Sequence, residues 1–334
     1  MRHKVDVKAL GLLSGGLDST LAVRLMLEQG VQVETVNFVT PFCLCGRKGC
    51  DAPDIASKFQ IKLKRIFLGN EYLRMLRKPK HGYGKNMNPC IDCRILMLKK
   101  AKRYAKQIGA DFIFTGEVLD ERPMSQHRRA MEIIEREAGL EGRILRPLSA
   151  RCLPGSEAEK KGWIEREKML DIKGRSRKRQ LELARSFSLS GYPCPAGGCL
   201  LTDREFSAKL RDFFKHKRTV HLKDISLLKL GRHFRLGSNK IIVGRNETEN
   251  KLLLSLKAPG DYYFEVPDCG SPTTILQGRK SSEAIRTAAS LTARYSDAKR
   301  ESVQVAYGTD RPRKTMSVTP LMNGHVDRLR IAWR

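Results

Sequence analysis

Residues 9–20 read Ala9-Leu10-Gly11-Leu12-Leu13-Ser14-Gly15-Gly16-Leu17-Asp18-Ser19-Thr20. An apolar run, Ala9–Leu13, has the length of a buried strand. It stops at a Ser-Gly-Gly turn, and an amphipathic helix over Ser19–Gln29 follows, closed by Gly30. A strand, a glycine turn and a helix in direct succession present unpaired backbone N–H groups and the positive end of a helix dipole at one point. The two glycines let the backbone come close to a phosphate. Ser14, Ser19 and Thr20 add hydroxyl donors, and Asp18 is placed to hold Mg²⁺. The Lys of a GxxxxGK[ST] loop is missing. A capped strand–turn–helix with no ligand has the same outline; the paired glycines flanked by serines favour the phosphate reading.

The pattern continues outward. Strands are expected at Val31–Val39, Ile61–Leu68, Asp111–Phe114 and Ile144–Leu148, with helices at Asp54–Phe59, Ile91–Gln107 and Ser125–Glu137 between them. Strands alternating with helices imply βαβ units and a doubly wound parallel sheet, an α/β fold that binds ligands at the carboxyl ends of its strands. Residues 150–176 break the alternation and read as a surface insertion within a domain spanning 1–215; the basic run Lys173, Arg175, Arg177, Lys178 and Arg179 at its end is suited to touch phosphates or else starts a solvated helix. From Thr219 onward, short β-like runs (Lys240–Val243, Leu252–Leu256, Tyr262–Val266) and turn signals suggest a small basic β domain at 216–278. A helix over Ser281–Tyr295 and a poorly ordered basic tail complete the expected 279–334 segment.

The 334 residues carry 64 Lys+Arg against 36 Asp+Glu, a formal charge of +28. A charge of this size identifies a polyanionic partner class, with nucleic acid first and an anionic membrane surface second. With 40% hydrophobic residues there is apolar surface for real cores, so a wholly disordered basic chain is excluded. No run approaches the ~20 apolar residues that cross a bilayer, and the N-terminus lacks the apolar segment of a secretory signal, so a cytoplasmic location is expected.

Seven of the nine cysteines cluster: Cys43, Cys45 and Cys50; Cys90 and Cys93; Cys194 and Cys199. In a reducing compartment such clustering points to metal ligation or thiol chemistry. Cys90 and Cys93 open a helix, where the dipole favours thiolate. Cys43, Cys45 and Cys50 provide three ligands for a second metal such as Zn²⁺, with His81 a fourth, or else form a loop of packed thiols. Glu117 and Asp120 are candidates to assist Mg²⁺ or plain surface carboxylates.

The Ser14–Ser19 stretch resembles the PP-motif of the N-type ATP pyrophosphatases, which cleave ATP between the α and β phosphates and adenylate a carbonyl oxygen. Asn88-Pro89-Cys90-Ile91-Asp92-Cys93 and Cys199-Leu200-Leu201-Thr202-Asp203-Arg204-Glu205-Phe206 resemble the tRNA 2-thiouridylases, which implies that Cys93 and Cys199 are the catalytic pair. Thr115-Gly116-Glu117 with Ser125-Gln126, and Ile144-Leu145-Arg146-Pro147-Leu148, look more like the tRNA 4-thiouridine synthetases. The resemblance implies an adenine nucleotide α-hydrolase-like fold over about residues 9–215. It also implies an ATP-dependent tRNA uridine thiolase whose partners are tRNA and sulfide or a separate sulfur-carrier protein. The extra Cys90 is similar to thiolases that hold a [4Fe–4S] cluster on three cysteines, here Cys90, Cys93 and Cys199, with Cys194 an alternate for the last. A cluster-free persulfide mechanism on Cys93 and Cys199, and structural zinc, remain the other readings. Gly231–Leu236 and Ile241–Asn246 resemble the RNA-binding β domain of NFACT-type proteins, which directs attention to Arg232, Arg235 and Arg245 as phosphate contacts. Two other functions fit the same motifs: a PP-loop ligase or amidotransferase, which does not need paired cysteines, and a non-catalytic RNA-binding protein.

Overall fold

The computed structural model describes residues 6–44, 52–189 and 199–332. The chain divides into two compact units, residues 1–202 and 203–334.

The first unit runs β1 (Lys8–Leu12), α1 (Leu17–Glu28), β2 (Gln32–Val39), α2 (Ala52–Lys58), β3 (Lys62–Phe67), α3 (Asn70–Arg77), α4 (Cys90–Ile108), β4 (Phe112–Thr115), α5 (Arg128–Ala138), β5 (Ile144–Leu145), α6 (Glu157–Lys160) and α7 (Lys178–Ser186). Among the described residues its strands form one five-stranded sheet in the order β3-β2-β1-β4-β5, parallel throughout. Alternation along β1 and β4 buries both faces. Ala9, Phe112 and Phe114 enter a core with α1 and α7, whereas Leu10, Leu12 and Ile113 enter a second core with α4 and α5. Helices on both faces make the sheet doubly wound, as the alternating pattern implies. Strand order reverses between β1 and β4, so the crevice for a ligand opens beyond their carboxyl ends.

Two segments of this unit differ from expectation. Helix α3 lies in a stretch too polar to announce itself, yet it buries Tyr72, Leu73 and Leu76 on one face. Residues 150–176 are not a surface insertion: Ile164, Met169 and Ile172 are buried in the same core as α1. Their apolar residues are spaced irregularly because the segment folds in short turns, and so they show no strand or helix period.

The second unit comprises α8 (Arg204–His216), α9 (Leu222–Leu228), β6 (Arg232–Leu236), β7 (Asn239–Val243), α10 (Glu247–Leu256), β8 (Tyr262–Glu265), β9 (Thr274–Gln277), α11 (Ser282–Arg294), β10 (Val303–Gly308), β11 (Lys314–Val318) and α12 (Asn323–Leu329). Among the described residues its sheet is antiparallel, in the order β11-β10-β8-β9-β7-β6. The Leu252–Leu256 run is helical, because the Asn246 side chain accepts from the Glu249 N–H and starts a helix six residues earlier. The basic segment beyond 279 is not a tail. Val303, Val305 and Val318 alternate inward from β10 and β11 onto Ala284, Ala288 and Leu291 of α11. Helix α8, placed with the first domain on sequence, groups with the second unit.

Candidate active site

The Ser14–Thr20 loop sits at the reversal point of the sheet. Gly15 adopts a left-handed φ of 85°, and Gly16 caps α1 with extended backbone. No side chain caps the helix from the Gly16 position, and Gly16 N–H donates to Ser14 Oγ at 3.3 Å. The hydroxyls tighten the turn from inside. Ser19 Oγ donates to Gly16 O at 2.8 Å and accepts from Ser14 N–H at 3.2 Å, and Thr20 Oγ1 donates to Gly16 O at 3.0 Å. Ser14 Oγ lies 3.1 Å from Ser19 Oγ. The wall opposite is Gly116, just after β4. A Cβ there would stand 2.5 Å from both Ser19 N and Ser19 Cα, so only glycine permits this approach.

Asp18 faces the crevice mouth. Arg177 Nη2 donates to Asp18 Oδ2 at 3.1 Å, and Arg177 Nε lies 3.9 Å from Glu121 Oε1. Arg177 arrives through a parallel bridge between Leu119 and Lys173, locked by Gly174 N–H to Leu119 O at 2.7 Å. Burial raises the Asp18 carboxyl despite Arg177 and Arg122; burial, then the Asp18 charge, raises that of Glu121. Asp18 Oδ1 and Glu121 Oε2 are buried with no hydrogen-bond partner. Two carboxylate oxygens left in need of a cation fit Mg²⁺, an oxygen-seeking ion.

Glu121, rather than Glu117 or Asp120, is therefore the carboxylate beside Asp18. Asp120 is exposed in a left-handed turn. Glu117 is buried between Arg94 and Arg146, with Arg146 Nε at 3.1 Å and Arg94 Nε at 3.4 Å. Burial alone would raise its carboxyl, but the two guanidiniums outweigh burial and hold it below the ordinary value. Ser125 is buried and caps nothing; His127 caps α5 instead.

The thiols come together from three separate segments. Cys90 and Cys93 occupy the first turn of α4, where Cys90 Sγ donates to Asn88 Oδ1 at 2.8 Å. Cys199 pairs with Cys43 across an isolated antiparallel bridge. Its segment is pinned on both sides: Leu200 N–H donates to Phe42 O at 2.9 Å, Met87 N–H to Leu201 O at 3.1 Å, and Asn86 Nδ2 to Thr202 O at 2.6 Å. The buried Tyr72 of α3 donates its hydroxyl to Cys93. Desolvation pushes the Cys93 thiol up to about 11 and Cys199 up to about 12, and Cys43 and Cys90 add to both shifts. Cys43 therefore neighbours Cys90, Cys93 and Cys199. Cys45, Cys50 and Cys194 lie outside the described residues. His81, one guess for a ligand to a second metal, points its ring at Glu137 at 2.9 Å instead. Four neighbouring thiols suit a soft centre, Fe–S or zinc, in donor chemistry. Among the described residues no three His, Cys, Asp or Glu side chains are arranged to hold a metal ion, so ligation would require these thiols to turn toward one point.

Residues 4–151 match the family described as thiamine biosynthesis protein (ThiI), and residues 231–330 match the NFACT protein RNA binding domain. Most of the first unit is thus similar to proteins of the tRNA thiouridine synthetase branch. A probable tRNA sulfurtransferase of Thermococcus kodakarensis is 31% identical over 150 residues, covering 42% of this chain and 36% of that protein. A tRNA-specific 2-thiouridylase of Syntrophotalea carbinolica is 34% identical over 114 residues, covering 31% and 32%. The chain thus spans about a third of the length of the curated relatives it matches. Among solved structures, a 4-thiouridine synthetase–RNA complex with bound ATP aligns over 67% of this chain and 52% of its own, at 22% identity and a TM-score of 0.36. A U34-tRNA thiolase of Methanococcus maripaludis with its [4Fe–4S] cluster aligns over 63% and 67%, at 20% identity and a TM-score of 0.33.

In the NFACT-like unit, the three arginines singled out on sequence are engaged within it. Arg235 forks onto Asp212, with Nε donating at 2.9 Å. Arg245 forks onto Glu249. Arg232 stacks 4.6 Å from the Tyr295 ring centroid. His233 is buried, its Nε2–H donates to Leu230 O at 2.7 Å, and it is held well below its ordinary range by desolvation. Exposed cations lie elsewhere in the unit, among them Arg311, Arg313 and Lys314 around the β10–β11 turn. Among the described residues no helix of the chain is long and apolar enough to cross a membrane.

Proposed function

We propose that the chain is an ATP-dependent tRNA sulfurtransferase. The observation that carries this reading is the gathering of Cys43, Cys90, Cys93 and Cys199 in the same unit as a Ser-Gly-Gly loop with an open helix start. A ligase using ammonia has no need of such a thiol group.

The loop N–H groups and the α1 dipole bind the ATP phosphates. Asp18 and Glu121 would hold Mg²⁺, which would supply charge to offset that building on the phosphates. The uridine carbonyl oxygen attacks the α-phosphorus and pyrophosphate leaves; a sulfur nucleophile then attacks the activated carbon and AMP leaves. Cys90, Cys93 and Cys199 would be the ligands for a [4Fe–4S] cluster, which would supply an iron to carry sulfide. Without a cluster, Cys93 would take a persulfide from a sulfur-carrier protein and attack with its outer sulfur; the Cys199 thiol would then displace the thiouridine by forming a disulfide with Cys93, reopened by a thiol reductant. Tyr72 donates a hydrogen bond toward Cys93 in either case.

The NFACT-like unit serves as the tRNA handle, through exposed cations such as Arg311, Arg313 and Lys314 together with the stacked Arg232, in the cytoplasm. Mass spectrometry of tRNA nucleosides tests the reading. Deleting the gene removes one thiouridine, wild type restores it, and Cys93→Ser does not. Unchanged nucleosides in the deletion strain refute it.

A further inference from the structure

Arg177 lies outside residues 4–151, the span of the first family match, and no motif of the loop predicts it. Its guanidinium nevertheless stands between the two carboxylates at the crevice mouth, bonded to Asp18 Oδ2 and near Glu121 Oε1. The arrangement is incomplete. Asp18 Oδ1, Glu121 Oε2 and Arg177 Nε are all buried without a hydrogen-bond partner. One turn further along, the buried Gln180 has both amide atoms unpartnered. Buried polar atoms left unsatisfied are costly, so a region holding several is one that a ligand completes.

A divalent cation bridging Asp18 and Glu121 and a guanidinium between the same carboxylates exclude each other. A released guanidinium is well suited to a phosphate, which it binds in a planar fork. We propose that Arg177 is a positioning residue that changes partners. It neutralises Asp18 and Glu121 in the nucleotide-free protein, then yields them to Mg²⁺ and turns onto the incoming triphosphate. The exchange keeps the charge of the crevice matched in both states and discourages the cation from binding without nucleotide. It rests on the nucleotide site proposed above.

The test is a pair of equilibrium titrations on full-length protein, comparing wild type with Arg177→Met. Mn²⁺ stands in for Mg²⁺, read by electron paramagnetic resonance; Mg·ATP binding is read by calorimetry. Loss of the competing guanidinium tightens Mn²⁺ alone, and loss of a charge-assisted phosphate contact weakens Mg·ATP, each by about tenfold. Arg177→Lys, which keeps the charge without the fork, falls between on both. Opposite shifts in one variant are the signature. Weakening of both ligands would make Arg177 merely structural, and no change in Mn²⁺ affinity would overturn the exchange whatever ATP does. Wild type that binds Mn²⁺ but no ATP would instead remove the nucleotide reading beneath it.

Discussion

Gly116→Ala is the most direct test of the nucleotide crevice. The added methyl would lie 2.5 Å from Ser19 N and Cα and 2.6 Å from the Asp18 carbonyl carbon, all backbone atoms at the start of α1. Ordinary contact begins near 3.4 Å, so the loop has to retreat by about 1 Å. Rigid backbone on both sides leaves no side chain to swing away. Overpacking of this kind costs ~1–3 kcal/mol of stability, which a folded unit of this size survives. A 1 Å displacement of groups that position reacting phosphates costs about 100-fold in rate. The expected result is a variant with native far-UV circular dichroism, a lowered Tm and ATP–pyrophosphate exchange reduced about 100-fold. Gly155→Ala is the control, since its methyl would meet nothing nearer than an Arg166 side-chain nitrogen at 3.8 Å. Exchange by Gly116→Ala within twofold of wild type would refute the claim that this contact shapes the loop.

Glu117→Gln removes one of the two carboxylates facing the buried Arg146, which keeps Glu135, and the partner of the half-buried Arg94, so unfolding free energy should drop by about 1–3 kcal/mol; a urea midpoint equal to wild type contradicts the network. Burial holds Cys93 near 11 and Cys199 near 12 against an ordinary 9.0, so both stay protonated at neutral pH in metal-free protein. Iodoacetamide should label them slowly at pH 7.5 and faster above 9, and rapid labelling of Cys93 at pH 7.5 would show that the pocket is polar. Lys240 is pushed down to about 7 by burial, whereas the unfolded side chain titrates near 10.5. The unfolded chain thus holds the extra proton between those values, and stability conferred by this site falls as pH drops from 10.5 toward 7. Lys240→Met should raise the Tm of the second unit at pH 7 and flatten its alkaline pH dependence; an unchanged slope counts against the buried lysine.

The parallel sheet was legible because βαβ alternation imposes two distinct periods on one chain, and the Ser14–Thr20 loop because glycine and serine spacing encodes a turn directly. Cys93 and Cys199 carried motif signatures. What sequence could not convey was proximity. Cys43 looked like the first residue of a separate centre, and only the bridge to Cys199 reveals its neighbours. Glu121 carries no local pattern, and the basic run Lys173–Arg179 pointed to phosphates without singling out Arg177, since the loop after β4 and the start of α7 meet through Lys173. Arg235 and Arg245 illustrate the converse: a basic β surface on sequence became two ion pairs once Asp212 and Glu249 were seen to face them. The Leu252–Leu256 run was misread because a short apolar run suits strand and helix alike, and the Asn246 cap decided between them.

The anchoring of the Cys199 segment to Phe42, Asn86 and Met87 also has a temporal meaning. These residues come from opposite ends of the first unit, so a chain emerging from the ribosome has α4 and its two thiols long before Cys199 exists. The four-thiol cluster is thus the last part of this unit that can close during synthesis, and it closes onto the loops after β2 and before α4. A fragment that ends before residue 199 carries the Ser14–Thr20 loop, Cys90 and Cys93 but lacks the strand bridge that brings Cys43 to Cys199.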